Sequence, residues 1–379
     1  MKAGQILQNI SQLTRSKDWR LSFVPFIIGC TYLWIFIMDI QFDADSLIMW
    51  LLSIVTSIGF ASLGYFINEF FDKKTDALAG KLNKLAFIHP LLQFGLFVIL
   101  LLVTILPWFF LPSDALSFWL IGIEIMLFLV YSLPFPRLKN NPFVSGIIDA
   151  SYAYVVPLVL SAHTYALFSG ADLGVGIYFF SIGVFIVGGR NITIHHVNDI
   201  FKDKRSGIVT LPQRIGPTAT NKMIRAMLVL ETLFLLLSFI VVSLNFPLFW
   251  IWVSIYVFCL VYKIVAEHID FESEHFCIEK GRHFPDFIYQ IVFPVSILFL
   301  TLSSDFLWIC VLPLHGVLLV SWELYKKPWH RFIWFIQNPL RGGVSACINY
   351  PIYFMFLLVG INLKAKNMSA RQYIQSKFN

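Results

Sequence analysis

Apolar stretches of about the length needed to cross a bilayer recur along the whole chain, near residues 21–39, 47–67, 91–111, 116–133, 145–166, 174–190, 223–245, 247–265, 286–302, 306–322 and 343–362. A span of about 20 apolar residues crosses the hydrocarbon core as a helix, whereas the strands of a membrane barrel are short and alternate. The chain is therefore expected to be an all-α polytopic membrane protein. Its composition agrees, with 58% hydrophobic and only 13% charged residues over 379 positions and a mean hydropathy of +0.75. The 28 Lys and Arg against 22 Asp and Glu belong to loops in such a protein and imply no nucleic-acid partner. Five scattered cysteines without a C-x-x-C pair encode neither a disulfide framework nor a zinc site. The polar, amphipathic start does not have the short early apolar core of a signal peptide, so the first span is expected to be retained.

Charge alternates between the spans. Lys2, Arg15, Lys17 and Arg20 precede the first, Asp39, Asp43 and Asp45 follow it, and Lys73, Lys74, Lys81 and Lys84 follow the second. Arg137 and Lys139 follow the fourth, and Lys202, Lys204, Arg205 and Arg214 the sixth. The excess of basic residues marks cytoplasmic loops, which places the loops after spans two, four and six in the cytoplasm. The loop 267–277 has metal-ligand residue types without a metal-site spacing and reads as a solvated cytoplasmic loop.

Two polar segments on that side carry the chemistry. After span two, Asn68, Asp72 and Asp76 are spaced four apart, and after span six His195, Asp199 and Asp203 repeat the interval. On a continuing helix each set shares one face. Stacked carboxylates repel unless a cation lies between them, and hard oxygen donors of this kind suit Mg²⁺. One such stripe alone reads more readily as a solvated helix end. Two on the same side, each with Lys or Arg alongside, form a pattern able to hold a diphosphate through Mg²⁺.

With Gly207 and Thr210 following the second stripe and the segment Tyr131-Ser132-Leu133-Pro134-Phe135-Pro136-Arg137-Leu138-Lys139 after span four, the pattern resembles the UbiA superfamily of intramembrane prenyltransferases. The likeness covers roughly residues 15–302. It implies a nine-helix bundle with a central cavity, followed by extra C-terminal helices. The implied organisation is a prenyltransferase transmembrane domain over 1–302 and additional membrane segments with a basic tail over 303–379. The implied reaction is Mg²⁺-dependent transfer of a polyprenyl group from its diphosphate to a lipophilic acceptor, most often aromatic, at a site facing the cytoplasm. A terpene cyclase, a polyprenyl-phosphate phosphoribosyltransferase and a non-enzymatic transporter or lipid-binding protein are the competing readings.

In that frame Asp72, Asp76, Asp199 and Asp203 are the catalytic metal ligands, with Asn68 as a neutral oxygen donor. Lys73, Lys81, Arg137, Lys139, Lys204 and Arg205 are candidate diphosphate contacts, Lys81 and Lys139 foremost because the family carries basic residues there. Tyr65, His195 and Asp149 fall on the acceptor side, although His195 reads more readily as a hydrogen-bond partner of Asp199, and Asp149 equally as a helix-to-helix hydrogen bond. The sequence departs from the family at Gly80-Lys81-Leu82-Asn83-Lys84 and at His195-His196-Val197-Asn198. In the tail, the charge rule favours ten crossings and a cytoplasmic C-terminus, with the region from Trp329 onward along the inner leaflet.

Overall fold

The computed structural model describes residues 23–80, 82–135, 137–205, 207–266 and 288–319. Among them every regular element is helical: α1 (Phe23–Ile37), α2 (Ala44–Ala79), α3 (Pro90–Ile105), α4 (Ala115–Ser132), α5 (Val144–Ala150), α6 (Val156–Ser169), α7 (Gly176–Asn198), α8 (Ile200–Arg205), α9 (Leu211–Asn245), α10 (Phe249–Ala266), α11 (Phe293–Ser304) and α12 (Leu312–Leu319). Among the described residues six stretches are long and apolar enough to cross a bilayer, and four more apolar helices are shorter. The chain is an integral, multi-pass membrane protein. Large apolar side chains such as Phe109, Phe110 and Trp119 lie on its outside, as expected where the surrounding solvent is lipid.

The helices begin and bend for local reasons. Asp43 and Asp114 cap α2 and α4, each accepting from the backbone N–H of a serine three residues on, Ser46 and Ser117, whose hydroxyl accepts in return. These reciprocal bonds satisfy two otherwise orphaned donors at each helix start. His163 bonds Asp114 at 2.9 Å, and this contact, with the cap, holds the Asp114 carboxyl down at about 2. Two wide π-helical turns, Ser151–Val155 and Ile288–Val292, each stand two residues ahead of a proline, Pro157 and Pro294. A proline removes one N–H from the ladder and crowds the carbonyl four residues back, and the wide turn absorbs that defect.

The residues up to Tyr256 and the stretch 288–319 belong to one compact unit, while Val257–Ala266 falls in another. The core of the first unit is aromatic. Phe26 of α1 meets Phe180 of α7 at 6.2 Å and Phe293 of α11 at 5.8 Å between ring centroids. The antiparallel pair α7 and α9 packs most extensively, and its centre is polar. Arg190 donates to Glu231 at 2.7 Å with both side chains fully buried. Arg190 also donates to Asn191, and Asn191 to the Tyr154 hydroxyl.

Beyond α11 the chain does not leave this unit at residue 302. Asp305 accepts from the Phe42 N–H at 2.7 Å, Trp308 donates to the Ile40 carbonyl at 3.1 Å, and His315 bonds the Tyr32 hydroxyl at 3.1 Å. These bonds fasten the segment to α1 and the loop after it. The expected span over 306–322 starts instead as a 3-10 helix, Phe306–Val311, followed by the short α12. The expectations for the tail from residue 320 and for the loop 267–277 lie outside the described residues.

Candidate active site at the helix ends

Helix α2 is an unbroken rod of 36 residues. At about 1.5 Å per residue it is roughly 54 Å long, well beyond the roughly 30 Å of a hydrocarbon core. Its last turns therefore stand clear of the core, and they carry Asn68, Asp72 and Asp76 on one face as their spacing requires. The rod ends where Gly80 adopts φ 69°, with its N–H bonded back to Ala77 and Asp76 carbonyls. The left-handed turn is open to glycine without steric cost, and it sends the chain back along the helix. Asn83 then donates to the Asp76 carboxylate at 2.9 Å and to the Glu69 carbonyl at 2.7 Å. The departure from the family at this position is thus a neutral side chain that orients one of the acids.

The segment after α4 closes over the same face. Arg137 has a left-handed backbone, φ 44°, uncommon for a residue with a side chain. Its guanidinium donates to Asp72 at 2.8 Å and to the Thr75 hydroxyl at 3.1 Å. Lys139 donates to the same Asp72 oxygen and to the Asn68 amide oxygen. Burial holds the Lys139 ammonium below its usual range, an effect that the Asp72 carboxylate opposes. Asp72 is thus charge-compensated twice by side chains from another element.

The second acidic segment is built differently. The expected single helix is interrupted at Asp199 (φ −99°, ψ 8°), so α7 ends at Asn198 and α8 starts at Ile200. His195 stands 3.8 Å from Asp199, too far for a hydrogen bond, and Lys202 donates to Asp199 at 2.9 Å. Asp203 is buried. Helix α8 ends at Gly207 (φ 72°), where the N–H of Gly207 bonds the Lys204 carbonyl and that of Ile208 bonds the Asp203 carbonyl. This pair of bonds is a Schellman termination, which glycine permits. The turn brings Thr210, the residue ahead of α9, back to the acids.

Both segments open on one cavity of about 420 Å³. It brings together Asn68, Asp72, Asp76, Lys139, His195, Asp199 and Asp203 from the sequence reading. It adds Glu69, Thr75, Lys84, Tyr131, His196, Lys202 and Thr210, whose presence there depends on tertiary packing rather than spacing. The other expected contacts stand elsewhere. Lys73 is drawn aside to Gln93 and over the Phe70 ring. Lys204 and Arg205 are exposed on α8. Arg137 acts on Asp72 without lining the cavity, and neither Tyr65 nor Asp149 lines it. Lys81 lies outside the described residues.

The donor set suits a hard cation. One amide side chain and five carboxylates, Glu69 beside the four expected aspartates, line a common space, and Mg²⁺ needs only one or two carboxylates beside phosphate and water oxygens. Among the described residues no three His, Cys, Asp or Glu side chains are already drawn together tightly enough to hold a metal. Lys139, Arg137 and Lys202 instead supply the positive charge that the acids require.

A sequence model of the UbiA prenyltransferase family matches residues 23–274, and the chain belongs to that family. No curated protein matches its sequence significantly. Among solved structures, a UbiA homolog from Archaeoglobus fulgidus bound to DMAPP and Mg²⁺ superposes with a TM-score of 0.53 at 17% identity, over 77% of this chain and 98% of that one. A UbiA homolog from Aeropyrum pernix K1 gives 0.53 at 14% identity, over 74% and 97%. A structure described for digeranylgeranylglyceryl phosphate synthase in membranes gives 0.52 at 14% identity, over 79% and 98%. At these identities the likeness speaks to the fold, which is UbiA-like.

Proposed function

We propose that this member of the UbiA family moves a polyprenyl group from its diphosphate to a lipophilic, aromatic acceptor, with Mg²⁺, at a site facing the cytoplasm. The observation that carries the reading is the convergence of both acidic segments and Lys139 on one cavity at the ends of membrane helices. Fold relatives bound to DMAPP or GPP together with Mg²⁺ support the same donor class. The alternation of Lys and Arg between spans supports the orientation.

Asp72, Asp76, Asp199 and Asp203 are the residues proposed to hold Mg²⁺, with Asn68 as a neutral oxygen donor. When bound, the cation offsets the charge of the diphosphate so that it can leave. Lys139 and Arg137, released from Asp72, supply donors to the remaining phosphate oxygens. The work of the chain is otherwise positioning and exclusion of water. Carbon–oxygen bond cleavage sends the electron pair to the diphosphate, and the acceptor supplies the pair for the new bond.

The test is incubation of the purified protein with farnesyl or geranylgeranyl diphosphate, Mg²⁺ and a membrane lipid extract, followed by mass spectrometry. A prenylated lipid is expected. A cyclised hydrocarbon would replace transfer with cyclisation, and an unconsumed donor would remove the enzymatic reading. Impermeant thiol labelling of Lys74→Cys and Lys202→Cys in intact cells tests the orientation. Both sites are expected to be protected, and strong labelling from outside would invert it.

A further inference from the structure

Asp149 is a carboxylate at membrane depth with a partner of an unusual kind. It lies on α5 within the continuous span Val144–Ser169 and accepts a hydrogen bond from the Tyr152 hydroxyl. Among the described residues it has no cationic partner. Acids at this depth are costly and are retained where they do something. Tyr152 sits in the wide π-helical turn, and its ring meets Phe128 at 5.1 Å and Tyr131 at 5.4 Å between centroids, both edge-on and both from α4. Tyr131 is the member of this group that faces the cavity. It lies within electrostatic reach of Asp149 on one side and of Asp72 and Asp203 on the other. A line of protic groups thus runs from the proposed diphosphate site into the span.

We infer that Tyr131, Tyr152 and Asp149 form a proton-accepting arm for the acceptor substrate, which must be a molecule that gives up a hydrogen from oxygen or from an aromatic ring as it is prenylated. The inference rests on the prenyl-transfer reading. The C1–O bond of the donor breaks with its electron pair going to the diphosphate. The acceptor's lone pair or π pair forms the new bond to C1, and the acceptor's proton passes to Tyr131 as Tyr131 yields its own toward Tyr152 and Tyr152 its own to Asp149. Asp149 ends as the neutral acid, and the proton returns along the same line to the departing diphosphate or to water. Two of the cavity carboxylates are poorly suited to this task. Asp72 and Asp199 are held by Arg137, Lys139 and Lys202, and metal would hold them in the loaded state. Among the described residues Asp149 faces no cation, which leaves its oxygens available to a proton.

The test uses the full chain in bilayers with Mg²⁺, membrane lipid extract and geranylgeranyl diphosphate labelled with ¹⁸O at the bridging oxygen. Ionisation is read as scrambling of the label and transfer as prenylated lipid. Asp149→Asn is expected to lower kcat for transfer by about a hundredfold, in the range of a lost general base. The donor KM and the scrambling rate should stay within about twofold. Asp149→Glu should recover a large part of the rate. Tyr152→Phe, which keeps the ring contacts with Phe128 and Tyr131, should lower transfer about tenfold with the melting temperature unchanged. Transfer at the wild-type rate in both Asp149→Asn and Tyr152→Phe would overturn the arm. So would an equal fall of scrambling and transfer, which marks a role in ionisation or folding. A wild-type protein that neither scrambles nor transfers would overturn the prenyl-transfer reading beneath it.

Discussion

The two acidic segments contain the same interval of carboxylates and differ in how they are held. The first lies on an unbroken helix whose acids are gripped from outside it, Asp72 by Arg137 and Lys139 and Asp76 by Asn83. The second crosses a break between α7 and α8, and Asp199 there is bonded by Lys202 of its own segment, a side chain 53% exposed. Buried partners from another element fix a geometry, because leaving them unpaired is costly. A solvated lysine three residues along the same chain fixes little. We therefore expect the first segment to be the more rigid half of the cavity and the stretch around Asp199 the half that adapts.

Substitutions that remove a proposed ligand have the largest expected effect and bear on both halves equally. Asp72→Ala and Asp199→Ala should each lower turnover about a thousandfold or more in a folded protein, the scale of losing metal-assisted stabilisation. Lengthening the ligand sharpens the contrast: Asp72→Glu should remain severe, whereas Asp199→Glu should be milder because the break beside it absorbs a methylene. Equal losses in the two Glu variants would break the distinction.

The compensating cations come next. Lys139→Gln should weaken donor diphosphate binding about tenfold to a hundredfold while Mn²⁺ alone binds more tightly, since a competitor for Asp72 has gone. Paramagnetic resonance of free Mn²⁺ reads the second effect. Lys202→Gln should change either quantity by less than about twofold. Asn83→Leu removes the Asn83 donor from Asp76, at about 1–3 kcal/mol, and should lower the melting temperature together with metal affinity. Smallest is Gly207→Ala, whose left-handed φ costs about 1 kcal/mol. It should slow turnover a few-fold without loss of donor binding.

The sequence is most informative where structure is local. The helical rod, its three-residue stripe and the glycine stops at Gly80 and Gly207 all follow from near-neighbour spacing and backbone sterics. Asn83 and Tyr131 join the site only because a loop folds back and one helix packs on another, and no periodicity announces either. The break at Asp199 escapes the same spacing argument, since four-residue intervals survive a single turn between helices. Arg190 and Glu231 are visible in sequence as charges in or at the edge of apolar runs, yet only the packing of α7 on α9 reveals that they are one pair. The prolines after the two wide turns are legible as helix defects, but not the tyrosines those turns present.

The pair formed by Arg190 and Glu231 has a consequence for how the protein is made. Each residue alone at the centre of a helix entering the bilayer would oppose its release into lipid by about 2.5–3.5 kcal/mol. Joined at 2.7 Å, they enter as one neutral dipole. Helices α7 and α9 should therefore leave the insertion machinery together, as a hairpin closed around its charge pair. The short connection between them, carrying Asp199 and Asp203 among three basic residues, would then be positioned at the bilayer surface in the same event that seats the two helices.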